Sequence, residues 1–261
     1  MVLIKAEELY REINENKDII IIDVRGFPSY VSSHIPKAYW FYVWDLTKHK
    51  EGLPSTLKDI NEICKILEKN GFDSEKETRI YCDINTVTSA SYLFFVLEYL
   101  GFEKVKILEG GFEKWKEKGY PVVPGIVKPK EGKVIAKIKS EIKADFNYVN
   151  SVLGNPRTLL IDTRTAEEFY GKVKSALKEG RIPGSINLDH KKFLTLYPYY
   201  FENLKLEEID LKNKEIILYC SAGDRATYVY FILNKILGIN NLKVYLESFY
   251  DWAFKNGRIE K

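Results

Sequence analysis

The sequence predicts an α/β protein of two similar domains in tandem, each a parallel sheet covered by helices on both faces. Three observations predict it. Apolar runs of strand length alternate with helical periodicities, the same signposts occur twice in the same order, and 261 residues are enough for two cores of ordinary size.

The first signpost is an apolar run ending in Asp-x-Arg, from Ile19 to Arg25 and again from Leu159 to Arg164. Such runs, bounded by polar residues, read as buried strands. A loop with proline follows each, Ser33 to Ala38 in the first half and Gly180 to Ser185 in the second. Next come Arg79 to Cys82 and Ile216 to Cys220, two more strand-like runs that each lead through a short polar loop into a helix. Those helices, Ser91 to Leu100 and Tyr228 to Leu237, are apolar on most faces and stop at Gly101 and Gly238, residues suited to a helix C-terminus. Each half closes with a short strand and an aromatic helix, Gly111 to Trp115 and Ser248 to Trp252. Strands alternating with helices imply parallel sheets, and ligands of such sheets bind at the carboxyl ends of strands. The stretch from Pro121 to Lys143 is rich in lysine, proline and glycine without helical period, which sets the expected domains at 1–124 and 144–261 with 125–143 as linker.

Composition excludes several function classes. Forty basic against 37 acidic residues give a formal charge of +3, too balanced to predict a nucleic-acid or membrane partner. No apolar run approaches the ~18 residues of a membrane span, and charge interrupts the start too early for a secretory signal, so a cytoplasmic protein is expected. Three cysteines, Cys64, Cys82 and Cys220, lie far apart, and the histidines are only His34, His49 and His190. That pattern argues against a disulfide framework and against a structural metal site.

The segment Cys220-Ser221-Ala222-Gly223-Asp224-Arg225 carries the chemistry. Between a strand and a helix, successive backbone N–H groups can converge on an anion, and the helix dipole adds positive potential. A cysteine at the base of such a loop is expected to have its pKa lowered toward the nucleophilic thiolate. Gly223 permits the tight backbone, and Arg225 is expected to donate to an oxyanion or orient the loop. A free cysteine at a strand end is more often simple packing, but the loop, the glycine, the arginine and the repeat agree on function. Asp162 and Arg164 read first as a structural ion pair, with a role in positioning substrate open to them and to Arg181.

With these residues in view, the chain resembles the tandem-domain rhodanese family of thiosulfate and 3-mercaptopyruvate sulfurtransferases over nearly its whole length. Cys220, Gly223 and Arg225 match the family's C-x-x-G-x-R loop, and Asp162 and Arg164 its Asp-x-Arg strand end. Gly180 to Ser185 is similar to its G-H-I-P-G-A element, with Arg181 where histidine is usual. The resemblance implies two rhodanese-like domains and a persulfide on Cys220 that passes sulfur to cyanide or a thiol, on a small molecule or a protein, with no cofactor or metal. Thiosulfate is the expected donor, on the strength of Arg225, with 3-mercaptopyruvate as the alternative. A non-enzymatic binding role and a cysteine phosphatase are the further rivals. The phosphatase loop is C-x5-R, one residue longer than here.

The first half lacks this loop. Setting Asp83 opposite Cys220 gives an offset of 137, the same as Gly101 with Gly238 and Trp115 with Trp252. Asp83 is therefore expected at the nucleophile's position, with Cys82 buried at the strand end and the first domain non-catalytic, serving as a wall of the cleft.

Overall fold

A computed structural model describes residues 2–48, 55–194, 199 and 213–261. His49 lies outside the described residues.

The described chain forms two compact units, the first of residues 2–46, 58–138 and 199, the second of residues 47–48, 55–57, 139–194 and 213–261. In the first unit, β1 (Leu3–Ile4), β2 (Ile19–Asp23), β3 (Tyr39–Trp40), β6 (Glu77–Tyr81) and β7 (Val105–Leu108) form a sheet in the order β1-β7-β6-β2-β3, every pairing parallel. In the second, β8 (Lys143–Ala144), β9 (Thr158–Asp162), β10 (Ile186–Asn187), β11 (Glu215–Tyr219) and β12 (Leu242–Tyr245) take the order β8-β12-β11-β9-β10, also parallel. Strand for strand this is the same sheet. Two short strands, β4 (Thr47–Lys48) and β5 (Thr56–Leu57), make a separate antiparallel pair.

Side chains alternate across each sheet. On one face of the first, Ile21 and Tyr81 join Leu9 and Ile13 of α1 (Ala6–Asn14) and Phe112 and Trp115 of α5 (Gly111–Glu117). α4 (Val87–Tyr99) packs on β6 and β7 and buries residues around its whole circumference, as its apolar sequence requires. The second unit repeats this with Leu160, Ile217 and Tyr219 against Val149 of α6 (Phe146–Ser151) and Phe249 and Trp252 of α9 (Ser248–Phe254). The helix after Cys220 departs from regularity, running as α8 (Asp224–Tyr230) and continuing as a π-helical turn over Phe231–Ile236.

The expected linker is not a free tether. Residues 125–138 belong to the first unit, where Gly132 N–H donates to Glu68 O at 2.9 Å and Lys137 N–H to Leu100 O at 2.8 Å, while Lys143 already belongs to β8. Gly101 sits at φ +87°, and a Cβ there would lie 2.5 Å from Lys137 O, so the helix terminator also admits this passing chain. Among the described residues, no helix is long and apolar enough to cross a membrane, and no cluster of His, Cys, Asp and Glu is arranged to hold a metal ion.

Candidate active site

Cys220 is the first residue beyond β11, at the carboxyl end of the central strand, and it is fully buried. Its N–H donates to Ser248 Oγ at 3.1 Å and its carbonyl accepts from Phe249 N–H at 3.0 Å, which ties it to the start of α9. Gly223 closes the loop in the left-handed region, at φ +98°, and turns its N–H onto Cys220 Sγ at 3.1 Å. The amides of Ala222 and Ala226 also act on the sulfur. This is an anion cradle built from backbone.

Two neighbours of the sulfur alter the expectation from sequence. Asp224 Oδ1 lies 3.7 Å from Cys220 Sγ, in position to accept the S–H. The thiol is not acidified: burial pushes its pKa up, the Asp224 charge adds to that, and Arg225 and the loop amides offset it only in part. The resting residue is therefore a thiol.

Arg225 is not free to meet an oxyanion. Its Nη1 donates to Glu168 Oε2 at 2.6 Å and its Nη2 to Glu168 Oε1 at 3.1 Å and to Ser221 Oγ at 2.7 Å. It orients the loop. Glu168 sits on α7 (Ala166–Phe169), whose first turn is closed by a capping box: Thr165 Oγ1 accepts from Glu168 N–H and Glu168 Oε2 accepts from Thr165 N–H at 3.0 Å. Burial alone would raise the Glu168 carboxyl, but Arg225, Ser175 and the Thr165 amide bring it down to about 2. In the first unit, Glu12 is likewise brought down to about 2 by Arg79 and Lys17 against burial. Because both folded values lie below the usual carboxylate range, the unfolded chain binds more protons as pH falls toward them. The stability these pairs supply is full above about pH 4.5 and is lost as pH falls toward about 2. Melting temperature should drop across that window, and Glu12→Gln should flatten the drop.

Asp162 and Arg164 form a buried bidentate pair beneath the loop, with Arg164 Nη2 donating to Asp162 Oδ2 at 2.6 Å and to Gly180 O at 2.8 Å. The guanidinium stacks 4.2 Å from the Phe249 ring centroid. It reaches toward the site through Ser175, whose Oγ lies 3.4 Å from Arg164 Nη1 and 3.1 Å from Ser221 Oγ. Arg181 points elsewhere: it pairs with Glu260, to which it is also bridged through the backbone, and packs over the Phe169 ring.

Three site residues were missed from the sequence. Ser175 comes from the irregular segment after α7. Ser248 holds the Cys220 amide from φ +60°, and its counterpart Gly111 has φ +58°, so a serine where the repeat has a left-handed glycine was the available signal. His190 lies on a short 3-10 turn, His190–Phe193, that packs against α8. Its Nδ1 lies 3.2 Å from Thr163 O and so carries the proton, and burial and the Arg225 charge lower its pKa, leaving a neutral imidazole.

The first unit corrects the alignment of the halves. Ile80 and Ile107 pair as Leu218 and Val244 do, and Phe112 N–H donates to Cys82 O at 2.8 Å as Phe249 N–H does to Cys220 O. Cys82, not Asp83, is the counterpart of Cys220, and the extra residue lies in the loop between Cys82 and α4. Cys82 has no cradle. Asp83 Oδ1 accepts from Asn85 N–H at 3.0 Å and from Thr86 Oγ1 at 2.8 Å, so the loop's donors serve its own carboxylate. Burial and Asp83 push the Cys82 thiol well up. Cys64, half-buried on α3 (Ile60–Lys69), is also raised, by burial and Glu68. Near the same end of the first sheet lies a mainly apolar cavity of about 460 Å³ lined by Arg25, Phe27, Trp40, Tyr42 and Thr86 among others.

Gly223→Ala tests the cradle. An added Cβ would meet Leu246 O at 2.4 Å at a φ that disfavours alanine, so a loss of about 1–3 kcal/mol in urea unfolding is expected.

Comparison with known proteins finds relatives along most of the chain. A candidate thiosulfate sulfurtransferase of Synechococcus elongatus is 23% identical over 260 residues, covering 94% of this chain and 81% of that one. A candidate 3-mercaptopyruvate sulfurtransferase of Schizosaccharomyces pombe is 27% identical over 240 residues, covering 85% and 79%. The crystal structure of SseA from Escherichia coli, a 3-mercaptopyruvate sulfotransferase of rhodanese fold, superposes with a TM-score of 0.81 at 24% identity, covering 95% of this chain and 99% of that one. The sequence profile of the rhodanese-like domain matches residues 5–118 and again 145–255, so the chain belongs to the rhodanese-like family and carries that domain twice.

Proposed function

We propose that this protein is a sulfurtransferase that moves a sulfane sulfur from thiosulfate to a thiophilic acceptor, cyanide or a thiol, through a persulfide on Cys220. The observation that carries the reading is the Gly223 N–H aimed at Cys220 Sγ from 3.1 Å, at the strand end where the family's loop lies. The Cys220 sulfur attacks the outer sulfur of the donor, the S–S bond of thiosulfate breaks, and sulfite leaves with the electron pair. The amides of Ala222, Gly223 and Ala226, which act on Cys220 Sγ, then stabilise the negative charge of Cys–S–S⁻ until the acceptor removes its outer sulfur. The first domain, with Asp83 filling its own loop, is the non-catalytic partner.

Arg225 does not select the donor, because its guanidinium is neutralised by Glu168. Support for thiosulfate comes from the name of the Synechococcus relative. The second reading, 3-mercaptopyruvate, is favoured by Asp224 beside the sulfur, which repels a dianion more than a monoanion, and by the name of the fission-yeast relative. A phosphatase reading loses the arginine it needs in the cradle. Assay of sulfite from thiosulfate and pyruvate from 3-mercaptopyruvate, each with cyanide as acceptor, separates the donors. Thiosulfate turnover at the higher kcat/KM is expected, and a higher value with 3-mercaptopyruvate reverses the assignment.

A further inference from the structure

Resting on the sulfur-transfer reading, we propose that Asp224 is a catalytic residue of the reaction: its carboxylate takes the Cys220 proton as the sulfur attacks and returns it to the leaving group. The geometry carries this. Asp224 Oδ1 stands 3.7 Å from Sγ, and Asp224 is half-buried, so the carboxylate bridges a fully buried sulfur and the open side of the loop.

The other groups around the sulfur do not compete for the proton. Arg225, on the same helix, is a cation held by Glu168 of α7, and Glu168 in turn is held by Arg225 and the Thr165 amide. Asp162 of β9 is consumed by Arg164. Ser248 of α9 lies 3.9 Å from Sγ but gives its own hydrogen to Tyr245 O at 2.8 Å. His190, from the turn packed on α8, has its Nδ1 proton on Thr163 O, which leaves Nε2 as its basic atom, and the contacts of Cys220 Sγ among the described residues run to Asp224, Gly223 and Ser248 rather than to that atom. Ser175 is engaged with Ser221. Among the described residues, Asp224 is the carboxylate in contact with the sulfur.

The step balances without an outside oxidant. The S–H bond breaks and its proton moves to Asp224 Oδ1, while the sulfur's electron pair forms the new bond to the sulfane sulfur. The donor's S–S bond breaks with its pair on sulfite, which takes the proton from Asp224 and departs as hydrogen sulfite, leaving Cys–S–S⁻. With 3-mercaptopyruvate the C–S bond breaks instead, and the same proton quenches the pyruvate enolate at carbon. Asp224 returns to the carboxylate in either case.

A merely electrostatic role predicts the opposite sign, which makes the test sharp. Removing the charge with Asp224→Asn should make Cys220 more acidic and speed its alkylation by iodoacetamide at pH 7, a reaction without donor. Single-turnover sulfur loading from thiosulfate or 3-mercaptopyruvate should nevertheless fall about 100-fold, and recover as pH rises and ionises the thiol directly. Asp224→Ser, which also suits a helix start, provides the same comparison should the amide variant fold poorly. Loading by either folded variant at or above the wild-type rate would overturn the role of Asp224 alone. A wild-type protein that alkylates at Cys220 but loads no sulfur from either donor would overturn the sulfur-transfer reading and this role with it.

Discussion

Cys220→Ser should abolish sulfur loading, lowering single-turnover release of sulfite by about a thousandfold or more. The hydroxyl that replaces the thiol is a far weaker nucleophile toward sulfur and cannot form a persulfide. The fold should survive, because the loop is held through backbone atoms: the residue's N–H to Ser248, its carbonyl to Phe249 N–H, and the turn at Gly223. Cys82→Ala should load sulfur within about twofold of wild type, since Cys82 occupies the equivalent strand end but faces a loop whose donors serve Asp83. The paired variants separate a shared position in the fold from a shared chemistry.

Glu168→Gln should be the most damaging change to the catalytic unit that leaves the nucleophile in place. It keeps the shape of the side chain but leaves the Arg225 guanidinium, only 17% exposed, without its carboxylate. Removing one member of a buried ion pair costs about 3–5 kcal/mol, and the residual exposure of Arg225 puts the expectation near the lower end. Ser221, held by the same guanidinium, loses its orientation, so sulfur loading should fall with stability. The double variant Glu168→Gln with Arg225→Met should recover a large part of the stability because no charge is left orphaned. Urea unfolding of the wild type and the two variants measures this. Equal stability for Glu168→Gln and wild type would show that the pair does not order the loop.

The repeat made most of the fold readable. Apolar runs before Asp23 and Asp162, glycines ending α4 and the helix after Cys220, and tryptophans in the last helices recur in the same order because each marks the same layer of the same sheet. What spacing could not show was where a one-residue difference lies. Pairs on the far side of the loop are separated by 137, the strand leading into it by 138 and the strands ending at Asp23 and Asp162 by 139, so a constant offset of 137 assigns Asp83 to the nucleophile's place. Only the register of β6 on β7 and the Phe112 amide on Cys82 O locate the extra residue inside the loop.

The charges at the site were visible as residues but not as pairs. Arg225 looked available because its partner, Glu168, is 57 positions away. Thr165 and Glu168 were readable as a helix-capping motif, yet the second use of the same carboxylate, on Arg225, depends on tertiary contact. The thiol's acidity was misjudged for the same reason: the loop amides are local and predictable, whereas burial is not. His190 reaches the loop through a turn that packs on α8, and no sequence pattern near Cys220 points to it.

The most direct test of the persulfide account is the intact mass of the reduced protein after brief exposure to thiosulfate or to 3-mercaptopyruvate, followed by mapping of any added sulfur to its peptide. The account predicts one added sulfur atom on Cys220, removed by cyanide and absent from Cys220→Ser. Sulfur on Cys82, or no added sulfur with either donor, would contradict it.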